Sequence, residues 1–119
     1  MDTSKYVSAL LNSREQAHTF HLGTSSYAQH KALEDYYNGI VPLVDSYVEA
    51  YQGTYNKLLR GLRRNSRFMS DPKKALAYFV ALRKRLRKMR TAKPSHLRNI
   101  QDEITQLVSS TIYKLRFLK

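Results

Sequence analysis

Residues 18–53 read HTFHLGTSSYAQHKALEDYYNGIVPLVDSYVEAYQG, and this stretch decides the fold. Near its start, residues 23–26 form a break of glycine, threonine and serine between two runs whose apolar residues recur at helical spacing. Glycine readily ends a helix, and serine caps the helix that follows. The stretch therefore predicts the end of one helix, a short turn, and a second helix from about Ser26 to Gln52 that Gly53 ends.

The rest of the chain carries three more helix-start signals. Polar residues at positions 2–4 are N-cap candidates for the first helix. The run at residues 70–72, Ser-Asp-Pro, predicts a third helix that extends to about Arg90, and Ser95 caps a fourth that extends to the C-terminus. Residues 54–69, between the second and third helices, contain leucines at helical spacing and predict a short connecting helix.

Composition limits the fold class. The chain has no cysteine, four glycines and three prolines in 119 residues, which excludes disulfides and zinc–thiolate sites and disfavours an all-β fold. The order short turn, long crossover, short turn is the connectivity of ferritin-like bundles. The sequence therefore predicts one all-α domain over residues 1–119, a ferritin-like four-helix bundle with one long crossover between helices 2 and 3. Pro42 predicts a kink in the second helix.

Metal-ligand side chains are concentrated in the first two predicted helices. His18 and His21 are three residues apart and share a helix face, as do Asp45 and Glu49, which are four apart. His30 precedes Asp45 by fifteen residues, or about 22 Å of continuous helix, so these two cannot hold one ion within a single chain. Either these are unrelated polar residues of the core and the subunit interface, or a second copy of the chain completes a site.

The formal net charge of +12 is divided unevenly between two halves. Residues 1–55 carry three basic and six acidic residues, a net −3, whereas residues 56–119 carry eighteen basic and three acidic residues, a net +15. The simplest interpretation is a charged face exposed to solvent. The excess of basic residues instead favours contact with a polyanion such as DNA or an acidic protein. The predicted contact residues are Arg60, Arg63, Arg64, Arg67, Arg83, Lys84, Arg87, Lys88 and Arg90.

The quoted stretch resembles the Dps branch of the ferritin superfamily, and more closely a small ferritin-like family of uncharacterised bacteriophage proteins. Dps-like proteins place one histidine late in helix 1 and another early in helix 2, then an aspartate fifteen residues on and a glutamate four after that. His30, Asp45 and Glu49 match the last three positions, and either His21 or His18 matches the first. The resemblance implies a site for iron or another divalent metal, with histidines from one subunit and carboxylates from its twofold mate.

Two further acids bear on this resemblance. Glu34, four residues after His30, is expected to support the ligands as a second-shell acid. The only Glu-x-x-His motif, Glu15 to His18, has no counterpart in helices 3 and 4. An intrasubunit di-iron centre, which needs two such motifs, is therefore not expected.

These features lead to two functional hypotheses. The first is a phage-type virion or assembly protein that self-associates through helix 2, contacts DNA or an acidic virion protein with its basic half, and binds no metal. The alternative is a Dps-like, DNA-binding ferroxidase or metal-binding protein with an intersubunit His/Asp/Glu site. Under this alternative the sequence leaves open whether ferroxidase activity is retained or vestigial. Both predict a homo-oligomer in the host cytoplasm or the virion, without a signal peptide or a membrane partner.

Overall fold

A computed structural model describes residues 2–119, and these residues form helices without any β-strand. The α-helices are α1 (Thr3–Gly23), α2 (Tyr27–Tyr55), α3 (Ala75–Lys88) and α4 (Ser95–Phe117), and a 3-10 helix at Pro72–Lys74 leads into α3. The all-α prediction with four helices is confirmed.

Side-chain caps begin the first two helices where the sequence predicts. The Asp2 carboxylate accepts hydrogen bonds from the backbone N–H groups of Ser4 and Lys5 and caps α1. The Ser26 hydroxyl accepts from the N–H of Gln29 and caps α2. Each cap satisfies N–H groups that have no acceptor inside the helix.

The end of α2 differs from the prediction. Gly53 does not end the helix, which continues to Tyr55 and stops at Asn56, a residue in the left-handed conformation with φ 53° and ψ 46°. Asparagine tolerates this conformation better than most residues and is a common substitute for glycine at helix ends. Pro42 lies inside α2, and the helix remains continuous on both sides of it.

The four helices pack around one core. α2 packs against α1 and α4, and α3 packs against α4 and more loosely against α1. Short turns make α1 antiparallel to α2 and α3 antiparallel to α4. The crossover returns along α1, so α2 and α3 begin at the same end of the molecule and run in parallel.

The predicted connecting helix was wrong, because residues 56–71 contain no helix. α1 has 21 residues and is therefore about 31 Å long, whereas the sixteen residues of the crossover would span only about 24 Å as an α-helix. An extended backbone is needed to return along the whole length of α1.

Side chains of α1 provide the hydrogen bonds that the extended crossover cannot make to itself. Asn12 donates from Nδ2 to the carbonyl of Arg63 (3.1 Å) and accepts at Oδ1 from the N–H of Asn65 (2.9 Å). The buried Gln16 binds both backbone groups of Met69, with distances of 2.7 and 2.9 Å. These four bonds fix the crossover against α1.

A chain of buried hydrogen bonds joins α1 and α2 inside the core. The Tyr36 hydroxyl donates to Ser13 Oγ at 2.6 Å, and Ser13 in turn donates to the carbonyl of Leu10 at 2.6 Å. The Tyr36 ring meets Phe79 edge to face, with centroids 4.8 Å apart, which joins α2 to α3 across the core. Other fully buried side chains are Tyr6, Phe20, Leu33, Ile40, Tyr47, Leu82, Leu86, Leu97 and Ile104.

Candidate metal site and basic surface

His21 and His30 form a reciprocal hydrogen-bonded pair where α1 ends and α2 begins. Nδ1 of His21 lies 2.8 Å from the backbone oxygen of His30, and Nδ1 of His30 lies 3.0 Å from the backbone oxygen of His21. A carbonyl oxygen only accepts, so each Nδ1 carries the hydrogen and donates it. The Nε2 atom of each uncharged ring therefore carries a lone pair and no hydrogen, the form in which histidine binds a metal.

The two rings are held face to face. Their centroids are 3.6 Å apart with an interplanar angle of 24°, and the His21 side chain is buried. The Tyr37 hydroxyl lies 3.4 Å from Nε2 of His21 and is placed to donate to its lone pair. Packing and backbone contacts thus fix the direction of both Nε2 atoms before any ligand arrives.

Glu34 adds a carboxylate to the pair. It lies one turn after His30 on α2, and one ligand atom from each of His21, His30 and Glu34 lies within 4.8 Å of the other two. Lys31 Nζ donates to the Glu34 carboxylate at 2.8 Å, and this bond holds the pKa of Glu34 below its usual range. Glu34, expected only to support the ligands, lies close enough to the two histidines to be a candidate ligand itself.

His18 lies beside this group. Its ring packs against Tyr37 with centroids 4.8 Å apart, and its centroid is 5.9 Å from that of His21. His18 is not part of the three-residue cluster. Of the two candidates for the first ligand position, His21 is therefore the one that faces His30.

Asp45 and Glu49 lie far from the histidines of the same chain. Both are exposed on α2, which is continuous from His30 onwards. At fifteen and nineteen residues from His30 they are about 22 and 28 Å away along the helix. The structure keeps them apart from the histidine pair within one chain, as the sequence predicts.

The arginines of the crossover project from a fixed backbone. Arg60, Arg63, Arg64 and Arg67 are all exposed. The N–H of Arg63 donates to Ser8 Oγ at 2.9 Å, in addition to the Asn12 bond at its carbonyl. Over residues 2–119, none of these four arginines forms an ion pair.

The basic residues predicted on the third helix differ from one another in exposure and in whether they already have a partner. Arg83 is half-buried and donates to Ser109 Oγ at 3.3 Å. Arg90, just after α3, forms two bonds to Asp102, at 2.5 and 3.0 Å, which lower the pKa of that carboxyl. Arg90 is therefore already paired with an acid. Among the described residues 2–119, Lys84, Arg85, Arg87 and Lys88 are exposed and form no ion pair.

Residues 21–115 match DUF5856, a family of unknown function. The chain belongs to this family. The matched segment begins at His21 and includes His30, Glu34, Asp45 and Glu49, together with the whole crossover. Comparison with curated proteins and with solved structures gives no significant match. Across the described part of the chain, residues 2–119, no helix is both long and apolar enough to cross a membrane.

Proposed function

We propose that this protein is a ferritin-like helical bundle that binds a divalent first-row metal ion through His21 and His30. The observation that carries the proposal is the reciprocal bonding of the two Nδ1 atoms to backbone carbonyls, which leaves the Nε2 atom of each ring without a hydrogen. In the described residues 2–119, no group donates a hydrogen bond to Nε2 of His30, so this nitrogen is free for a ligand. Imidazole nitrogen with carboxylate oxygen from Glu34 suits iron(II), zinc and their neighbours.

The connectivity supports the ferritin-like part of the proposal. α1 and α2 are antiparallel, a long crossover follows, and α3 and α4 form a second antiparallel pair. Ferritin-like bundles share this arrangement, and they bind metals with ligands from facing helices.

A second copy of the chain can complete the coordination. His21, His30 and Glu34 supply three ligand atoms, whereas first-row metals take four or more. If two α2 helices pair antiparallel about a twofold axis between residues 37 and 38, Asp45 of the second copy lies level with His30. The exposed face of α2 that would form this contact contains Lys31, Asp35, Asn38, Pro42, Asp45 and Glu49.

The metal site is tested by calorimetric titration with Zn²⁺, because zinc binds the same donors without redox chemistry. His30→Gln is expected to weaken zinc binding by about a hundredfold, in the range seen when a ligand environment is disrupted. His18→Gln and the surface variant His96→Gln serve as controls that keep wild-type affinity. Equal loss in the His30 and His18 variants, or no zinc binding by the unmodified protein, would overturn the proposal.

The contribution of a second copy is tested separately, by the mass of the protein in solution with and without zinc. Asp45→Asn and Glu49→Gln are expected to weaken both zinc binding and association, while Glu103→Gln on the exposed face of α4 changes neither. If zinc binds a monomer and the Asp45 variant keeps full affinity, the intersubunit part of the proposal is wrong.

A second candidate function is contact with a polyanion, as expected of a virion or assembly protein. The observation that favours it is the row of exposed arginines on a crossover whose backbone is fixed by α1. Binding dominated by phosphates weakens steeply with salt, by about 0.9 in log K per phosphate for each unit of log salt on duplex DNA. The slope for DNA is therefore expected to fall when Arg60 and Arg67 are replaced by glutamine. A slope that is unchanged by this double substitution would argue against the candidate, whereas metal binding is unaffected by it.

A further inference from the structure

A cleft lies where α1, the crossover and α3 meet. It has a volume of about 610 Å³, and cations from all three elements line it: Lys5 from α1, Arg63 from the crossover and Arg85 from α3. The loose packing of α1 against α3 leaves this space open along the bundle. Its size lies within the range of clefts that hold small organic ligands.

The charge of the cleft is largely uncompensated. Asp2 is the single acidic residue in its lining. The Asp2 carboxylate is occupied as the cap of α1, since it accepts bonds from the N–H groups of Ser4 and Lys5 and from the Ser4 hydroxyl. Over residues 2–119, Lys5, Arg63 and Arg85 form no ion pair with any acid.

The cleft is also built on fixed backbone. Both backbone groups of Arg63 are hydrogen-bonded to α1, through Ser8 and Asn12. On the opposite side, Arg85 lies close enough to the Tyr78 hydroxyl for its charge to act on that group. A ligand would therefore meet cations that project from a fixed backbone, so little backbone ordering is needed on binding.

We propose that this cleft binds the phosphate group of a nucleotide unit, held by Arg63 and Arg85 with Lys5 as the third cation. Guanidinium groups pair with phosphate oxygens through two parallel N–H bonds, which favours phosphate over a weakly charged ligand. The volume beyond one phosphate leaves room for the sugar or base attached to it. This inference rests on the polyanion candidate above and assigns to it one place and one ligand chemistry; it does not depend on the metal site.

Two sources of the phosphate are distinguished by the probes. Fluorescence anisotropy of a labelled single-stranded DNA and calorimetry with adenosine triphosphate are carried out at low ionic strength on the full chain. Poly-glutamate serves as a third probe, because it offers carboxylates in place of phosphates.

Matched pairs of arginines make the experiment specific. Arg63→Gln and Arg85→Gln are compared with Arg98→Gln and Arg116→Gln on α4; the control arginines are exposed, do not line the cleft and lie outside the predicted polyanion contact. We expect the cleft variants to weaken DNA or nucleotide binding about tenfold and each control to change it about twofold or less. Circular dichroism confirms that all four variants fold.

The outcomes separate the cleft from the general basic surface. Loss in the cleft variants with either phosphate probe supports the proposal, and the probe that binds names the source. An equal loss of binding in the cleft and control variants would overturn the cleft proposal but leave the polyanion candidate standing. Binding of poly-glutamate with the same dependence on Arg85, and of neither phosphate probe, overturns the assignment to phosphate. If none of the probes binds, both the cleft proposal and the polyanion candidate are overturned.

Discussion

Replacing Gln16 tests whether side chains of α1 hold the crossover in place. Gln16 is 4% exposed, and its amide binds both the N–H and the carbonyl of Met69. Each hydrogen bond contributes about 0.5–1.5 kcal/mol, so Gln16→Ala should lower the free energy of unfolding by about 1–3 kcal/mol. Gln106→Ala removes the same side chain from an exposed site on α4 and should change this free energy by less than about 0.5 kcal/mol.

The assay combines urea denaturation, followed by circular dichroism, with hydrogen exchange of backbone amides. Loss of its acceptor exposes the Met69 amide, and because about 1.4 kcal/mol corresponds to a tenfold change, its protection should fall about tenfold. Equal stability of the Gln16 and Gln106 variants, together with unchanged protection of Met69, would refute the idea that α1 fixes the crossover.

Three further predictions concern the core and the helix ends. Burial raises the pKa of Tyr47 and of Tyr78 to about 12, above the value near 10 of an unfolded tyrosine, so stability should be complete below pH 10 and fall between about pH 10 and 12; a free energy of unfolding in urea that is the same at about pH 9 and about pH 12 would contradict this. Phe79→Ala should cost about 3–5 kcal/mol in urea denaturation, because the ring is fully buried against Tyr36, and a loss below about 1 kcal/mol would show that the core is looser than described. Asn56→Val places a β-branched residue in the left-handed conformation and should cost about 1–2 kcal/mol by the same assay, whereas an unchanged midpoint would mean that α2 ends elsewhere.

Much of the fold could be predicted from local signals. Asp2 and Ser26 are short polar side chains that cap a helix through their own neighbours, so sequence alone locates α1 and the start of α2. The start signals at residues 70–72 and 95 likewise locate α3 and α4 to within a few residues. These elements depend on contacts within a few residues, which is why the sequence reveals them.

The crossover could not be predicted in this way. Its leucines follow helical spacing, yet Leu58 and Leu62 are exposed, because the segment has to be extended to return along α1. A signal was present in another part of the chain: Ser8, Asn12 and Gln16 are polar residues spaced four apart on one face of α1. Such a polar stripe beside a buried face indicates a partner backbone, but only the structure shows which one.

The candidate metal site was predictable in composition but not in geometry. Spacing identified His30 as a candidate ligand. It also excluded a metal site shared by His30 and Asp45 of one chain, because both inferences depend only on the rise of a helix. The choice of His21 over His18, and the Nδ1–H tautomer of both rings, depend on how the end of α1 meets the start of α2. That contact crosses a turn, and helical periodicity carries no information about it.

His21 and His30 are proposed to hold hydrogen on Nδ1 and to bind a metal through Nε2. Long-range proton–nitrogen NMR spectra of the two rings, recorded above neutral pH during a zinc titration, test it most directly. We expect the Nδ1–H tautomer for both rings without zinc, and a shift of both Nε2 signals that is complete at the stoichiometry of the site. Rings with hydrogen on Nε2, or Nε2 signals that zinc leaves unchanged, would contradict it.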